Sequence, residues 1–294
     1  MHKLAVNYKQ VDVFTSKPFK GNPVAVIMDA RGLSTAQMQD IANWTNLSET
    51  TFVLPAENSE ADYRVRIFTP KSELPFAGHP TIGTAWALLE AGIIVPRQSH
   101  IIQECGAGLV RLTISVCSEG KTSIAFELPK PQITELSAEQ IASIEKMIGC
   151  KINRSLPPAL VDVGARWVVA QLPDASSVLN VSPDYVQLRQ HDLAMGVTGI
   201  CLYGEYSQQD NMTIEVRSFA PACGVNEDPV CGSGNGSVAA FIRHHGTDLL
   251  PPLHVNASQG QVLGRDGKVS LIIDHDNIKV GGCAVTCIDG QISL

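Results

Sequence analysis

The sequence predicts an α+β protein of two similar domains, each a β-barrel-like sheet wrapped around one central helix. Three observations lead there. The chain repeats itself at about half its length, both copies run strand, glycine turn, apolar helix, and the apolar content is sufficient for two cores. Hydrophobic residues make up 44% of 294, and a chain of that length is long for one core and comfortable for two. The expected first domain is 1–128, completed by 281–294, and the second is 129–280.

The repeat is read directly from the residues. Val65-Arg66-Ile67-Phe68-Thr69-Pro70 returns as Val216-Arg217-Ser218-Phe219-Ala220-Pro221, an offset of 151. Glu73-Leu74-Pro75-Phe76-Ala77-Gly78-His79 aligns with Glu227-Asp228-Pro229-Val230-Cys231-Gly232-Ser233 at 154, so the second copy has gained three loop residues. Val11-Asp12-Val13 matches Val161-Asp162-Val163 at 150. A period this long exceeds that of a solenoid, roughly 20 to 50 residues, and fits two whole domains of one fold.

Each element follows from local pattern. Tyr63 to Phe68 and Met212 to Phe219 alternate in the β manner. Pro70 and Pro221 stop those strands. A helix is expected from Ser34, with Gln37 as its capping-box partner, to about Asn46, followed by a strand over Thr50 to Leu54. Helices are expected over Thr81 to Ala91 and Asn235 to His245, with Gly92 and Gly246 at the C-cap glycine positions. Both are apolar almost all round, the signature of a buried helix. Gly264-Arg265-Asp266-Gly267 reads as a hairpin turn between Val262 and Val269.

Composition excludes several classes. Charged residues are 17% and the net charge is −7, without clustered Lys and Arg, so no nucleic-acid partner is expected. The longest apolar run, around Ala85 to Ile94, is interrupted by Glu90 and Gly92 and is far short of the roughly 20 residues of a span. Met1 to Asn7 lacks the apolar stretch and cleavage site of a signal peptide, so a cytoplasmic protein with no membrane association is expected. The eight cysteines contain no Cys-x-x-Cys pair and read as free thiols rather than a zinc or disulfide framework. Gly232-Ser233-Gly234-Asn235-Gly236 lacks the Gly-Lys-[Ser/Thr] ending of a phosphate loop.

The strand, glycine turn, helix order places unpaired backbone N–H groups and the positive end of a helix dipole at Gly78-His79 and at Gly232-Ser233-Gly234. Each reads as an anion cradle, with glycine admitting a ligand close to the backbone. Bound there, a carboxylate would spread the charge left when a neighbouring C–H loses its proton. The base has four candidates. Glu49, on the loop entering the strand at Thr50, reads on its own as a solvated carboxylate. His79 at a helix start could carry a proton near neutral pH. Asp228, before Pro229, could equally be an Asx-turn cap. Cys231 precedes Gly232 at a helix N-terminus, where a thiol pKa falls, and could otherwise be small apolar filler.

Taken together, Val11-Asp12-Val13-Phe14 through Gly21-Asn22-Pro23-Val24-Ala25-Val26, Asn46-Leu47-Ser48-Glu49-Thr50, Pro75 to Thr81 and Glu227 to Gly234 resemble the phenazine-biosynthesis PhzF-like family, within the diaminopimelate-epimerase-like fold. The resemblance implies a site between the two domains, a homodimer, a small-molecule substrate, and neither cofactor nor metal. It gives Glu49 the acid/base role and His79 and Asp228 the other polar roles, with Gly78, Gly232 and Ser233 as substrate contacts. It implies an isomerase that shifts a proton on a small anionic carbon acid, with a base whose pKa burial raises. One departure stands out: Cys231 occupies a position where the family carries Thr, and the matching position of the first domain is Ala77. Two-thiol racemisation is therefore excluded, while a racemase or epimerase using Glu49 and Cys231 stays open. So does a ligand-binding protein that has lost its chemistry.

Overall fold

The structure is a computed structural model that describes residues 5–117, 120–207, 212–246 and 251–293. The chain divides into two compact units, 1–127 with 281–294, and 128–280. The first four residues of the N-terminal stretch discussed above lie outside the described residues.

The first unit contains β1 (Ala5–Val13), β2 (Asn22–Ile27), α1 (Thr35–Thr45), β3 (Thr50–Leu54), β4 (Tyr63–Phe68), β5 (Glu73–Leu74), α2 (Gly78–Glu90), β6 (His100–Cys105), β7 (Gly108–Val116) and β8 (Thr122–Glu127). The C-terminal strand, Ile278–Ser293, returns to it. Pairing runs β1–β2 antiparallel, β2–β3 parallel, β3–β4 antiparallel, β4–β6 parallel, then β6–β7 and β7–β8 antiparallel. The C-terminal strand pairs with both β8 and β1, which closes an eight-stranded barrel. Closure leaves the main ring without an exposed edge.

Helix α2 packs against β1, β2, β3 and β8, with Ile82, Ala85, Ala87 and Leu88 buried. Gly83 lets it come that close, since a Cβ there would meet Val24 Cγ1 at 2.3 Å. Helix α1 packs on β3 and β4 through Met38 and Ala42, in a core with Ile27, Phe52 and Phe68. Each large apolar side chain of that core contributes roughly 1.5–3 kcal/mol by leaving water. The start and end of α1 are local chemistry. Ser34 and Gln37 form a reciprocal capping box, and Asn46 takes the left-handed C-cap conformation at φ 53°.

The second unit contains β9 (Gln132–Glu135), α3 (Ala138–Ile148), β10 (Ala159–Asp162), β11 (Arg166–Gln171), α4 (Ala175–Leu179), α5 (Tyr185–Met195), β12 (Gly199–Glu205), β13 (Ile214–Ala220), β14 (Val225–Asp228), α6 (Gly232–His245), β15 (Leu253–Gln259) and β16 (Gly267–Ile273). Its pairing, β10–β11 antiparallel, β11–β12 parallel, β12–β13 antiparallel, β13–β15 parallel and β15–β16 antiparallel, repeats the β1–β2–β3–β4–β6–β7 series step for step. Helix α6 packs on β10, β11, β12 and β16, as α2 does in its own barrel. Helices α3 and α5 join a second cluster with Val168, Ile200, Leu202 and Phe219.

The repeated residues do the same jobs twice. Arg66 makes two bonds to Glu73, at 2.7 and 2.6 Å, and its guanidinium lies 5.1 Å from the Phe68 ring centre. Arg217 grips Glu227 at 2.9 and 2.7 Å and lies 4.9 Å from Phe219. Asp12 and Asp162 each accept backbone N–H bonds from the turn that follows their strand.

Several sequence expectations need correction. Both central helices start three residues earlier than their apolar periodicity suggests, at Gly78 and Gly232. The second repeat strand is Ile214–Ala220 rather than Met212 to Phe219. Gly92 has φ 66°, but Gly246 has φ −92° and needs no glycine. The connection expected as a tight hairpin turn is longer: β15 ends at Gln259, Gln261–Leu263 forms a 3-10 turn, and β16 opens at Gly267. None of the eight cysteines, all of them among the described residues, is in a disulfide, although the Cys117 and Cys283 Sγ atoms are 3.2 Å apart. Among the described residues no helix is long and apolar enough to cross a membrane.

Candidate active site

In the first unit, the left-handed cap at Asn46 turns the chain out of α1, and three residues later Glu49 enters β3. Its carbonyl accepts a bond from Ala25 N–H across the parallel β2–β3 pair, and its side chain is only 16% exposed. The carboxylate is therefore not a solvated loop group. Oε2 lies 3.4 Å from His79 Nε2. His79 is the second residue of α2 and is buried. Burial pushes its pKa down to about 3, although the ring bonds the Pro23 carbonyl. The imidazole is thus neutral at physiological pH. With Nε2 turned to Glu49, the donor to Pro23 is Nδ1–H, so Nε2 presents a lone pair to the carboxyl group.

The α2 terminus offers a defined pair of main-chain donors. Helix geometry leaves the N–H groups of its first residues without intrahelical partners. Ala77 gives no side-chain cap, and the third residue is Pro80, which has no N–H. The donors are therefore Gly78 and His79. Packing alone already requires Gly78, since a Cβ would meet Phe126 Cζ at 2.6 Å.

In the second unit, the α6 terminus reaches the same pair by another route. The Cys231 side chain is the N-cap, and its Sγ accepts from Gly234 N–H at 3.3 Å. That removes the third donor and leaves Gly232 and Ser233. Ser233 is oriented by Trp167, whose Nε1–H donates to Oγ at 3.0 Å. Asp228 closes the turn ahead of the helix, with Oδ1 accepting from Val230 N–H at 3.0 Å. Desolvation pushes its pKa up to about 6, against the opposing effects of bonds from Cys231 and Val230. The carboxyl group is poised near neutrality.

Cys231 departs from the lowered thiol pKa expected at a helix start. A helix N-terminus alone would lower its pKa, but burial, followed by the nearby Asp228 charge, pushes the thiol well above its ordinary value. It is a protonated capping thiol at neutral pH. Sequence reading also missed the residues that hold this turn: Asn235, which donates to the Cys231 carbonyl at 2.9 Å, and Gln259, 24 positions further on. Among the described residues no group of three or more His, Cys, Asp or Glu side chains is set to hold a metal ion.

The geometry thus pairs Glu49 with His79 in one unit, and Asp228 with Cys231, Gly232 and Ser233 in the other. A model of phenazine biosynthesis-like proteins matches residues 11–290. The chain belongs to the phenazine biosynthesis-like family. Within that family it is similar to antisense-enhancing sequence 1 of Schizosaccharomyces pombe, 45% identical over 97% of this chain and 98% of the relative. It is similar to the trans-2,3-dihydro-3-hydroxyanthranilate isomerase of Pseudomonas fluorescens, 36% identical over 98% and 99% of the two chains. Among solved structures, a PhzF-family phenazine biosynthesis protein of Bacillus anthracis superimposes with a TM-score of 0.88 at 26% identity, over 99% of this chain and all of that one. The fold of this family member is the diaminopimelate-epimerase-like one, and its enzyme class is isomerase.

Proposed function

We propose that this chain catalyses a cofactor-free proton shift on a small, anionic carbon acid, with Glu49 as the acid/base. The observation that carries the reading is the Glu49–His79 contact, a half-buried carboxylate 3.4 Å from a neutral imidazole. Glu49 as carboxylate takes a proton from a carbon beside an activating group. The Glu49 carboxylic acid then returns a proton to another carbon of the same substrate, so the enzyme ends as it began. While Glu49 holds the proton, its O–H can donate to His79 Nε2, which keeps the acid oriented without becoming charged itself. The paired N–H donors at Gly78 and His79, and at Gly232 and Ser233, suit a substrate carboxylate and the charge that develops beside it. Asp228 would hold a polar group of the substrate, and the proposal takes both half-sites as acting on one molecule.

A racemase using Cys231 is the weaker reading. The thiol is held protonated by burial, and the corresponding residue of the first unit is Ala77. The proposal includes a cytoplasmic homodimer with a small-molecule substrate and no nucleic-acid or membrane partner. Sedimentation at several concentrations tests the dimer.

The deciding experiment is solvent deuterium exchange, read by mass spectrometry, over a panel of small unsaturated and hydroxylated carboxylic acids. Trans-2,3-dihydro-3-hydroxyanthranilate belongs on the panel because of the Pseudomonas relative. Wild type is run beside Glu49→Gln and Cys231→Ala. Exchange lost in Glu49→Gln and kept in Cys231→Ala supports the reading. Exchange that survives Glu49→Gln removes the assigned base, and inversion of a stereocentre lost only in Cys231→Ala establishes the racemase instead.

A further inference from the structure

We infer that Gln259 is a positioning residue that locks the Asp228–Cys231 turn and the first turn of α6 into one geometry; this deepens the proposed reading and rests on it. Gln259 ends β15 and is fully buried. Its amide is used at both ends. Nε2–H donates to the Asp228 carbonyl at 3.0 Å. Oε1 accepts from Cys231 N–H at 3.1 Å and from Asn235 Nδ2 at 2.7 Å. Asn235 in turn donates to the Cys231 carbonyl. One side chain therefore grips the backbone on both sides of Pro229-Val230, at the residue carrying a candidate polar group of the site and at the residue capping the helix.

The residue type follows from the task. The turn presents one carbonyl to be satisfied and one N–H to be satisfied, both beside buried side chains. A primary amide is the side chain that supplies a donor and an acceptor from one planar group. Without it, buried backbone groups lose their partners, which is costly, and the turn relaxes toward water.

The first unit carries a related device, which serves as an internal control. Gln103 in β6 is also fully buried. Its Nε2–H donates to Thr81 Oγ1 at 3.0 Å and its Oε1 accepts from Tyr63 O–H at 2.9 Å. Thr81 and Asn235 are each the fourth residue of their central helix. Gln103 thus ties α2 to β4, whereas Gln259 ties α6 to the turn that bears Asp228. Both glutamines stabilise a helix, but only Gln259 holds a candidate polar group of the site.

The test is the titration of Asp228, followed by its carboxyl carbon-13 shift, in wild type, Gln259→Met and Gln103→Met. Asp228 in the wild type titrates at about 6. In Gln259→Met the midpoint falls by about one unit or more toward the ordinary aspartate value near 3.9, because the loosened turn admits water. Gln103→Met leaves it in place. Should Gln259→Met fail to fold, Gln259→Asn, too short to span all three bonds, is read in its place with the same expectation. An unmoved midpoint in the Gln259 variant, or an equal shift in Gln103→Met, overturns the inference. Turnover of any panel acid that the wild type exchanges is measured alongside, and Gln259→Met is expected to lower it about tenfold or more. If the wild type exchanges no acid, the functional reading fails while the titration still decides the role of Gln259.

Discussion

Replacing Asp228 by Asn should make this protein more stable at neutral pH while removing a titratable group from the site. The carboxyl group titrates at about 6 in the folded protein because burial disfavours its charge. In the unfolded chain it titrates near 3.9. The folded state therefore binds more protons between those two values. The contribution favours folding below the unfolded pKa and is lost as pH rises through the folded one. Above pH 7 the ionised buried group opposes folding by up to about 3 kcal/mol, from a difference of about two pKa units at about 1.4 kcal/mol each. Asparagine keeps an acceptor for Val230 N–H, which now bonds Oδ1, and carries no charge. Urea unfolding should show Asp228→Asn more stable than wild type by about 1–3 kcal/mol at pH 7.5, shrinking by about half at pH 5 as the wild-type group protonates. A variant destabilised by the same amount at both pH values would refute the argument.

Two further perturbations test the electrostatics. His79 titrates at about 3 when folded and near 6.5 when unfolded, so the unfolded chain takes up its proton first as pH falls. Stability from this group rises with pH across that window, by about 1.4 kcal/mol per unit, and His79→Gln should remove this slope when compared with wild type from pH 4 to 6.5. Equal slopes in the two proteins would show that the ring is not held neutral. The repeated Arg–Glu pairs provide a matched comparison. Glu227→Gln leaves the buried Arg217 with backbone carbonyl partners but without its counter-charge and should cost about 3–5 kcal/mol, whereas Glu73→Gln at the more exposed Arg66 pair should cost about 1 kcal/mol or less, both read by urea unfolding.

What could be read from sequence was local or periodic. The Ser34–Gln37 capping box and the Asn46 stop lie within a few residues of the helix they define, and the structure has them as the sequence suggests. The repeat was visible because two copies of one fold place Arg, Glu and Phe at the same steps. Apolar periodicity places both helix starts three residues late because Gly78, His79 and Pro80, and Gly232, Ser233 and Gly234, are weak helix formers. They are helical because the helices are buried on all sides, which propensity does not report. The direction of the Cys231 thiol pKa is hidden for a related reason: the helix dipole is legible in a sequence, and desolvation is not. Gln259 carries no local signal, since its bonds reach back 24 to 31 positions. Nor does the repeat point to it: in the register of the equivalent strands β6 and β15, Gln103 stands opposite Tyr63 and corresponds to Ala257, two residues before Gln259.

The placement of Glu49 beside His79 leads to the measurement that bears most directly on the proton-shift account. Turnover of an exchanging carboxylic acid is followed in heavy water for wild type and Glu49→Gln, with folding of both verified by urea midpoint. The account predicts a fall of about a hundredfold or more in Glu49→Gln, the usual contribution of a positioned acid/base. A Glu49→Gln protein that exchanges its substrate within about tenfold of the wild-type rate would contradict it.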